Sequence, residues 1–282
     1  ESLAQILIEF RAGYLTQVQV LDSIESGVEL RKKAADLGNS AAQLNLFVQY
    51  YNGTHVPANK IEAIKWLKAS AENGNPDAQF KLAKQYFNGW DVPKDQEKGV
   101  SLYESAAKGG HSKATVALGA AYFLGIGVEK NTAIALEWLK KAPEKDAAVM
   151  IGGVYMEGGN GVPQDRDLAE IWFRKSGDPE AMSWIPSLYS NDRYGPIDRD
   201  KSIKLALEME SGLEGQPRIY VQTVLMLNYH ENKNIKEKFY WLNKLSQAGD
   251  AESQLALGIF MFTGDGIKKN ASKAMQLMTK SA

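Results

Sequence analysis

The sequence predicts an all-α protein, an α-solenoid of about eight helix-turn-helix repeats, and three observations carry that expectation. The first is the stretch from Gly74 to Gly110, in which Ala78, Leu82 and Tyr86 recur every four residues up to Gly89. That is a helix stripe closed by a C-terminal glycine (helix A). Gly99, Leu102, Tyr103, Ala106 and Ala107 then form a second stripe before Gly109-Gly110 (helix B). The second is a count of one large helix-B site, Leu30, Trp66, Leu102, Trp138, Trp172, Leu205, Trp241 and Leu277, in steps of 36, 36, 36, 34, 33, 36 and 36. Four of the six tryptophans fall on it, which random placement would rarely give. The third is an independent count in helix A. Small opening residues stand at Ala42, Ala78, Ala114, Ala147, Ala181, Ile219 and Ser253, and eight residues on come Tyr50, Tyr86, Tyr122, Tyr155, Tyr189, Leu227 and Met261.

Residues 1–37 read as a divergent first unit, with Ile6, Phe10 and Gly13 on helix-A spacing, and 38–282 as seven further units of one repeat domain, the last cut short. Gly53, Gly89, Gly125, Gly158 and Gly264 close helix A, where a left-handed backbone is needed, while Asp192 and His230 stand there in the two most divergent units. Asn59, Asp95, Asn131, Asp165, Asp198, Asn234 and Asn270 precede helix B as candidate N-caps. Pro57, Pro93 and Pro163 stiffen the turns, and Pro186 interrupts the helix-A pattern. The start at Glu1 without Met suggests that an upstream segment has been removed, and the ending at Lys280-Ser281-Ala282 that more chain follows. One helix pair cannot bury its stripe alone, so the units stack into a right-handed superhelix.

Thirty-three Lys plus Arg against 34 Asp plus Glu leave a formal charge of −1, with basic residues spread through every unit, which argues against a nucleic-acid partner. No apolar run is long enough for a membrane span. The absence of cysteine excludes disulfides and thiolate metal sites and fits either redox compartment.

Ala114 to Gly119 with Tyr122, Gly125-Ile126-Gly127-Val128 and Ala135-Leu136-Glu137-Trp138 together resemble the Sel-one-like repeat, a short relative of the tetratricopeptide repeat. Leu257-Gly258 through Gly264-Asp265-Gly266-Ile267 to Ala274 resembles it too, and the likeness is weakest from Ser183 to Ile235. It implies that helix A lines an inner, concave surface, that the protein is a scaffold and not an enzyme, and that it looks like a bacterial exported member.

Counted from the opening small residue as zero, positions two, six and nine lie opposite the buried stripe. Position nine reads Tyr51, Phe87, Phe123, Met156, Ser190, Asn228 and Phe262; position two reads Leu44, Phe80, Val116, Val149, Ser183, Val221 and Leu255. Two readings of this apolar column stand open: packing against the next unit's helix A, or a groove for a partner protein. On the second, contacts involve Tyr51, Phe80, Phe87, Val116, Phe123 and Met156, with Lys81, Lys84 and Gln85 as the polar rim.

The three histidines, His55, His111 and His230, lie in three different units, and no phosphate loop, nucleophile elbow or dinucleotide fingerprint is present. Asp91, Glu157 and Asp265 read as solvated turn carboxylates, and Lys65, Lys68, Lys140 and Lys141 as a solvated helix-B face. No metal, cofactor or catalytic residue is expected. The leading function is therefore a non-enzymatic scaffold holding a protein partner. The alternatives are an immunity protein that blocks a secreted toxin such as a phospholipase effector, in the periplasm or else the cytoplasm, and a hydrolytic enzyme.

Overall fold

The computed structural model describes residues 17–281, so Ile6, Phe10 and Gly13 lie outside the described residues. The chain divides into two compact units at Ala142/Pro143. The first comprises α1 (Gln17–Asp36), α2 (Ser40–Asn52), α3 (Lys60–Glu72), α4 (Pro76–Asn88), α5 (Gln96–Lys108), α6 (Ser112–Leu124) and α7 (Thr132–Leu139). The second comprises α8 (Glu144–Glu157), α9 (Arg166–Ser176), α10 (Pro179–Ser183), α11 (Ser187–Ser190), α12 (Arg199–Glu210), α13 (Gly215–Glu231), α14 (Ile235–Gln247), α15 (Ala251–Thr263) and α16 (Ala271–Ser281). Within each unit helices pack as consecutive A/B pairs, and a helix B packs on the next helix A, the arrangement of an α-solenoid. Among the described residues the sole β feature is an isolated bridge between Gly159 and Val162 inside a turn.

The seven N-caps expected before helix B are all formed. The side-chain oxygen of each accepts from the backbone N–H three residues on, at 2.8–3.2 Å. The backbone N–H of the same residue donates to a helix-A carbonyl, from Asn59 to Tyr50, Asp95 to Tyr86, Asn131 to Tyr122, Asp165 to Tyr155, Asp198 to Tyr189, Asn234 to Tyr229 and Asn270 to Met261. One residue thus stops the turn and starts helix B; the bond spans nine residues in five of the seven hairpins, ten at Asp165 and only five at Asn234. Gly53, Gly89, Gly125 and Gly264 close helix A in the left-handed conformation.

Gln222, buried like Gln43 and Gln254 at position one, corrects the register of the sixth full unit. Position eight is Tyr229, not Leu227, and position zero is Val221, not Ile219. Burial agrees, since Val221 and Leu225 are fully buried and Leu227 is 50% exposed. The misreading arises because α13 is 17 residues long and ends at Asn232 with no glycine to mark its close. In the corrected register positions two and nine are Thr223 and His230, while Asn228, counted as outward-facing, is buried.

A second clamp recurs at position one. Gln43, Gln79 and Gln254 donate from Nε2 to the carbonyls of Ala35, Ala71 and Ser246 at the end of the preceding helix B. Gln222 occupies the same place and donates instead to the Glu210 carboxylate at 2.7 Å.

The helix-B count also needs adjustment. Trp66, Leu205 and Trp241 are buried, but Trp138 and Trp172 are only half-buried and Leu30 is 64% exposed. The deepest position is the following residue, occupied by Leu67, Tyr103, Leu139, Phe173, Ala206 and Leu242. The tryptophans lie across the edge of each layer, Trp138 and Trp172 beneath the lysines Lys141 and Lys175. Pro186 breaks the fifth helix A as expected, separating α10 from α11, because its ring supplies no N–H. Ser202 Oγ donates to the Pro186 carbonyl and itself accepts from buried Asn228, so the break is hydrogen-bonded from the two following helices.

Candidate functional site

In the first unit, α4 turns Ala78, Leu82 and Tyr86 into the core. Phe80 and Phe87, one step round the helix, are half-buried. Phe80 stacks on the His111 ring with centroids 4.3 Å apart, and both phenylalanines lean on Tyr103 of α5, at 5.7 and 5.8 Å. Burial pushes the Tyr103 hydroxyl up to about 12. Val116, Phe123 and Tyr51 are likewise half-buried, Tyr51 against Phe47. In α15, which no further helix pair follows among the described residues, the equivalent Leu255 and Phe262 are 46% and 50% exposed. Positions two and nine therefore pack between successive repeats and present only an edge to the outside. Met156 holds the same position in the second unit, half-buried in that unit's core.

Fully outward on α4 are Lys81, Lys84 and Asn88. Gln85, expected on the polar rim, is instead buried, and its Oε1 accepts the backbone N–H of Asp91 at 3.1 Å. It shapes the turn that follows, which Asp91 ties to the preceding repeat by accepting from Lys60 Nζ at 3.2 Å. That bond raises the Lys60 pKa above its ordinary value. The turn projects Trp90 outward, 62% exposed, with Lys84 Nζ 5.8 Å from its ring and 5.9 Å from that of Phe80. Trp90, Lys84, Phe80 and Phe87 thus make a small surface of aromatic edges around a cation. Trp90 was legible only as a tryptophan off the repeat register, because its exposure depends on the direction Gln85 gives the turn.

His111 caps α6, with Nδ1 accepting from the Ala114 N–H at 3.1 Å and Nε2 3.4 Å from Asp77. With Nδ1 accepting, it is held as a cap and not presented as a base. Among the described residues no three His, Cys, Asp or Glu side chains gather to hold a metal, and no helix is long and apolar enough to cross a membrane. In the second unit the Tyr189 hydroxyl meets Asp167 and Glu170 at 2.6 and 2.8 Å, and Lys201 reaches both carboxylates. Tyr189 is fully buried, and burial, with the two carboxylates, raises its pKa, while its hydroxyl and Lys201 lower that of Asp167. This cluster ties α9 to α11 and α12.

The Sel1 repeat model matches residues 40–75, 76–111, 112–144, 145–178 and 251–282, more than half of the chain. The chain belongs to the Sel1 repeat family. The five matched Sel1 repeats leave 179–250 aside, the stretch with the Pro186 break and the shifted register. A Sel1 repeat protein from Oxalobacter formigenes has a similar structure, with 26% identity and a TM-score of 0.60 over 88% of this chain and 100% of that one. A protective antigen present in uropathogenic Escherichia coli strains, described as displaying an SLR fold, is similar at 23% identity and a TM-score of 0.57. That match covers 90% of this chain, which spans 63% of the antigen's length.

Proposed function

We propose that this Sel1 repeat protein is a non-catalytic scaffold that holds a partner protein on the helix-A face of its first unit. Lys84 and Trp90 stand at the centre, the edges of Phe80 and Phe87 beneath them, Lys81 at the rim, and Tyr51, Val116 and Phe123 along the same column. The observation that carries this reading is Trp90, at 62% the most exposed aromatic side chain among the described residues and set beside a lysine. Exposed tryptophans of this kind are favoured interface anchors.

Because Phe87 and Phe123 serve the packing, truncating them confounds folding with binding. Trp90→Ala and Lys81→Glu/Lys84→Glu, at exposed sites, separate the two. Affinity purification should recover the partner with the wild-type chain and lose it with both variants, each still fully helical. Undiminished recovery by both would place the partner elsewhere.

The sharper proposal is that the partner is a secreted toxin, such as a phospholipase effector, neutralised in the periplasm; it rests on the resemblance to exported bacterial members. Cell fractionation of the tagged natural protein tests the location, and protection of toxin-expressing cells tests the role.

A further inference from the structure

At one junction of the second unit the repeat omits its own packing side chains. Position two holds Leu44, Phe80, Val116 or Val149 in the earlier repeats but Ser183 here, and position nine holds Tyr51, Phe87, Phe123 or Met156 but Ser190 here. Pro186 has also broken the helix between them. Ser183 is itself buried and borders open space only at its edge, while Ser190 is half-buried beside it. A hollow of about 400 Å³ lies beside Ser183, Trp184 and Pro217, another of about 420 Å³ beside Ser190, Val224 and Leu227, and Tyr220 lines both.

The shared wall is one face of α13, where Pro217, Tyr220, Val224, Leu227 and Glu231 follow helical spacing. Tyr220 and Leu227 are substantially exposed there. At 1.5 Å per residue this wall runs about 20 Å. Its charge is one-sided. Glu180 lines the first hollow, Asp192 and Glu231 line the second, and the one cation lining either is Arg199, 3.6 Å from Glu231. Glu180 and Asp192 are exposed and have no ion-pair partner among the described residues.

We propose that this trough docks a short extended segment of a partner protein, one whose apolar side chains enter the two hollows and whose basic residues at either end face Glu180 and Asp192. A length of about 20 Å corresponds to roughly six extended residues. Complementarity supports this occupant: the hollows stand where the repeat elsewhere places Phe, Tyr, Met or Val, and the ends carry unpaired carboxylates. The site shares no residue with the Lys84–Trp90 surface, so either can fail without the other.

The test is to pan a phage-displayed library of random decapeptides on the full chain and measure the enriched consensus peptide by fluorescence anisotropy. Two basic residues flanking an apolar pair are expected. Glu180→Lys/Asp192→Lys should weaken binding at least tenfold, as should Ser183→Val/Ser190→Phe, which restores the side chains of the other repeats. Lys81→Glu/Lys84→Glu should leave it unchanged. If the refilled variant does not fold, the charge variant decides alone, since its substitutions are at exposed positions. Acidic or neutral consensus sequences, no enrichment over the bare support, or full affinity in the charge variant would overturn the proposal. A dimer in sedimentation that the refilled variant abolishes would assign the trough to a second copy of the chain instead.

Discussion

Two adjacent glycines in α8 should respond to the same substitution with opposite sign. Both lie in the helix interior, where replacing Gly by Ala gains about 1 kcal/mol of intrinsic propensity. A Cβ on Gly153 meets nothing within 4 Å, so Gly153→Ala should stabilise by about that amount. A Cβ on Gly152 would stand 2.5 Å from both Cδ1 and Cε1 of Phe173. Phe173 is fully buried and meets Trp184 edge-on at 5.7 Å, so its ring has little room to withdraw. Overpacking of this kind costs about 1–3 kcal/mol, which leaves Gly152→Ala neutral to about 2 kcal/mol destabilised after the propensity gain. Urea melts followed by circular dichroism at 222 nm give the comparison, with midpoints separated by roughly 0.3–1 M for each 1 kcal/mol. Shortening the ring in a Phe173→Leu background should recover part of the Gly152→Ala loss. If both alanine variants are stabilised alike, the close approach of α8 to α9 is wrong, and with it the reason for glycine on the helix-A stripe.

Other substitutions test the layers and the charges. Leu139→Ala should cost about 2–5 kcal/mol, half-buried Trp138→Ala roughly half as much, and exposed Trp90→Ala under about 0.5 kcal/mol; denaturant melts showing Trp138 costlier than Leu139 would reverse the assigned depth. Burial pushes the Glu210 carboxyl up, but hydrogen bonds from Gln222 and Arg218 and the Lys244 charge outweigh it and hold the pKa below the usual value. Its contribution is therefore present above the unfolded-state carboxylate pKa and lost as pH falls through the folded value. Glu210→Gln should be destabilised by about 1–3 kcal/mol at pH 6, with the gap closing below about pH 4; a gap independent of pH in the same melts would contradict this.

The repeat, its helix pairs and its seven N-caps were legible because small, glycine and Asx positions obey local rules that need no tertiary context. The sixth unit misled because Ile219 and Leu227 fit a helical stripe as well as Val221 and Tyr229 do, and the burial of Val221 and Leu225 against exposed Leu227 distinguishes them. Gln222 carried a usable signal, since Gln43, Gln79 and Gln254 occupy the same position. Helical periodicity could not separate a column facing outward from one facing the next repeat, because that depends on where the neighbouring helix lies. Phe80 and Phe87 are therefore packed more deeply than their spacing implied, and Gln85 faces inward although its residue type suits a surface. The trough beside Tyr220 was present in the sequence as Ser183 and Ser190, visible once the other repeats set the expectation of a large side chain.

The central claim, a protein partner held on the helix-A face of the first unit, is tested most directly by a photo-crosslinking amino acid placed at Lys84 and, in a separate protein, at Lys68 on the helix-B face, in cells of the natural host. A single partner protein joined from position 84 and absent from position 68 is the predicted result. Crosslinks from position 68 alone, or from neither position, would contradict it.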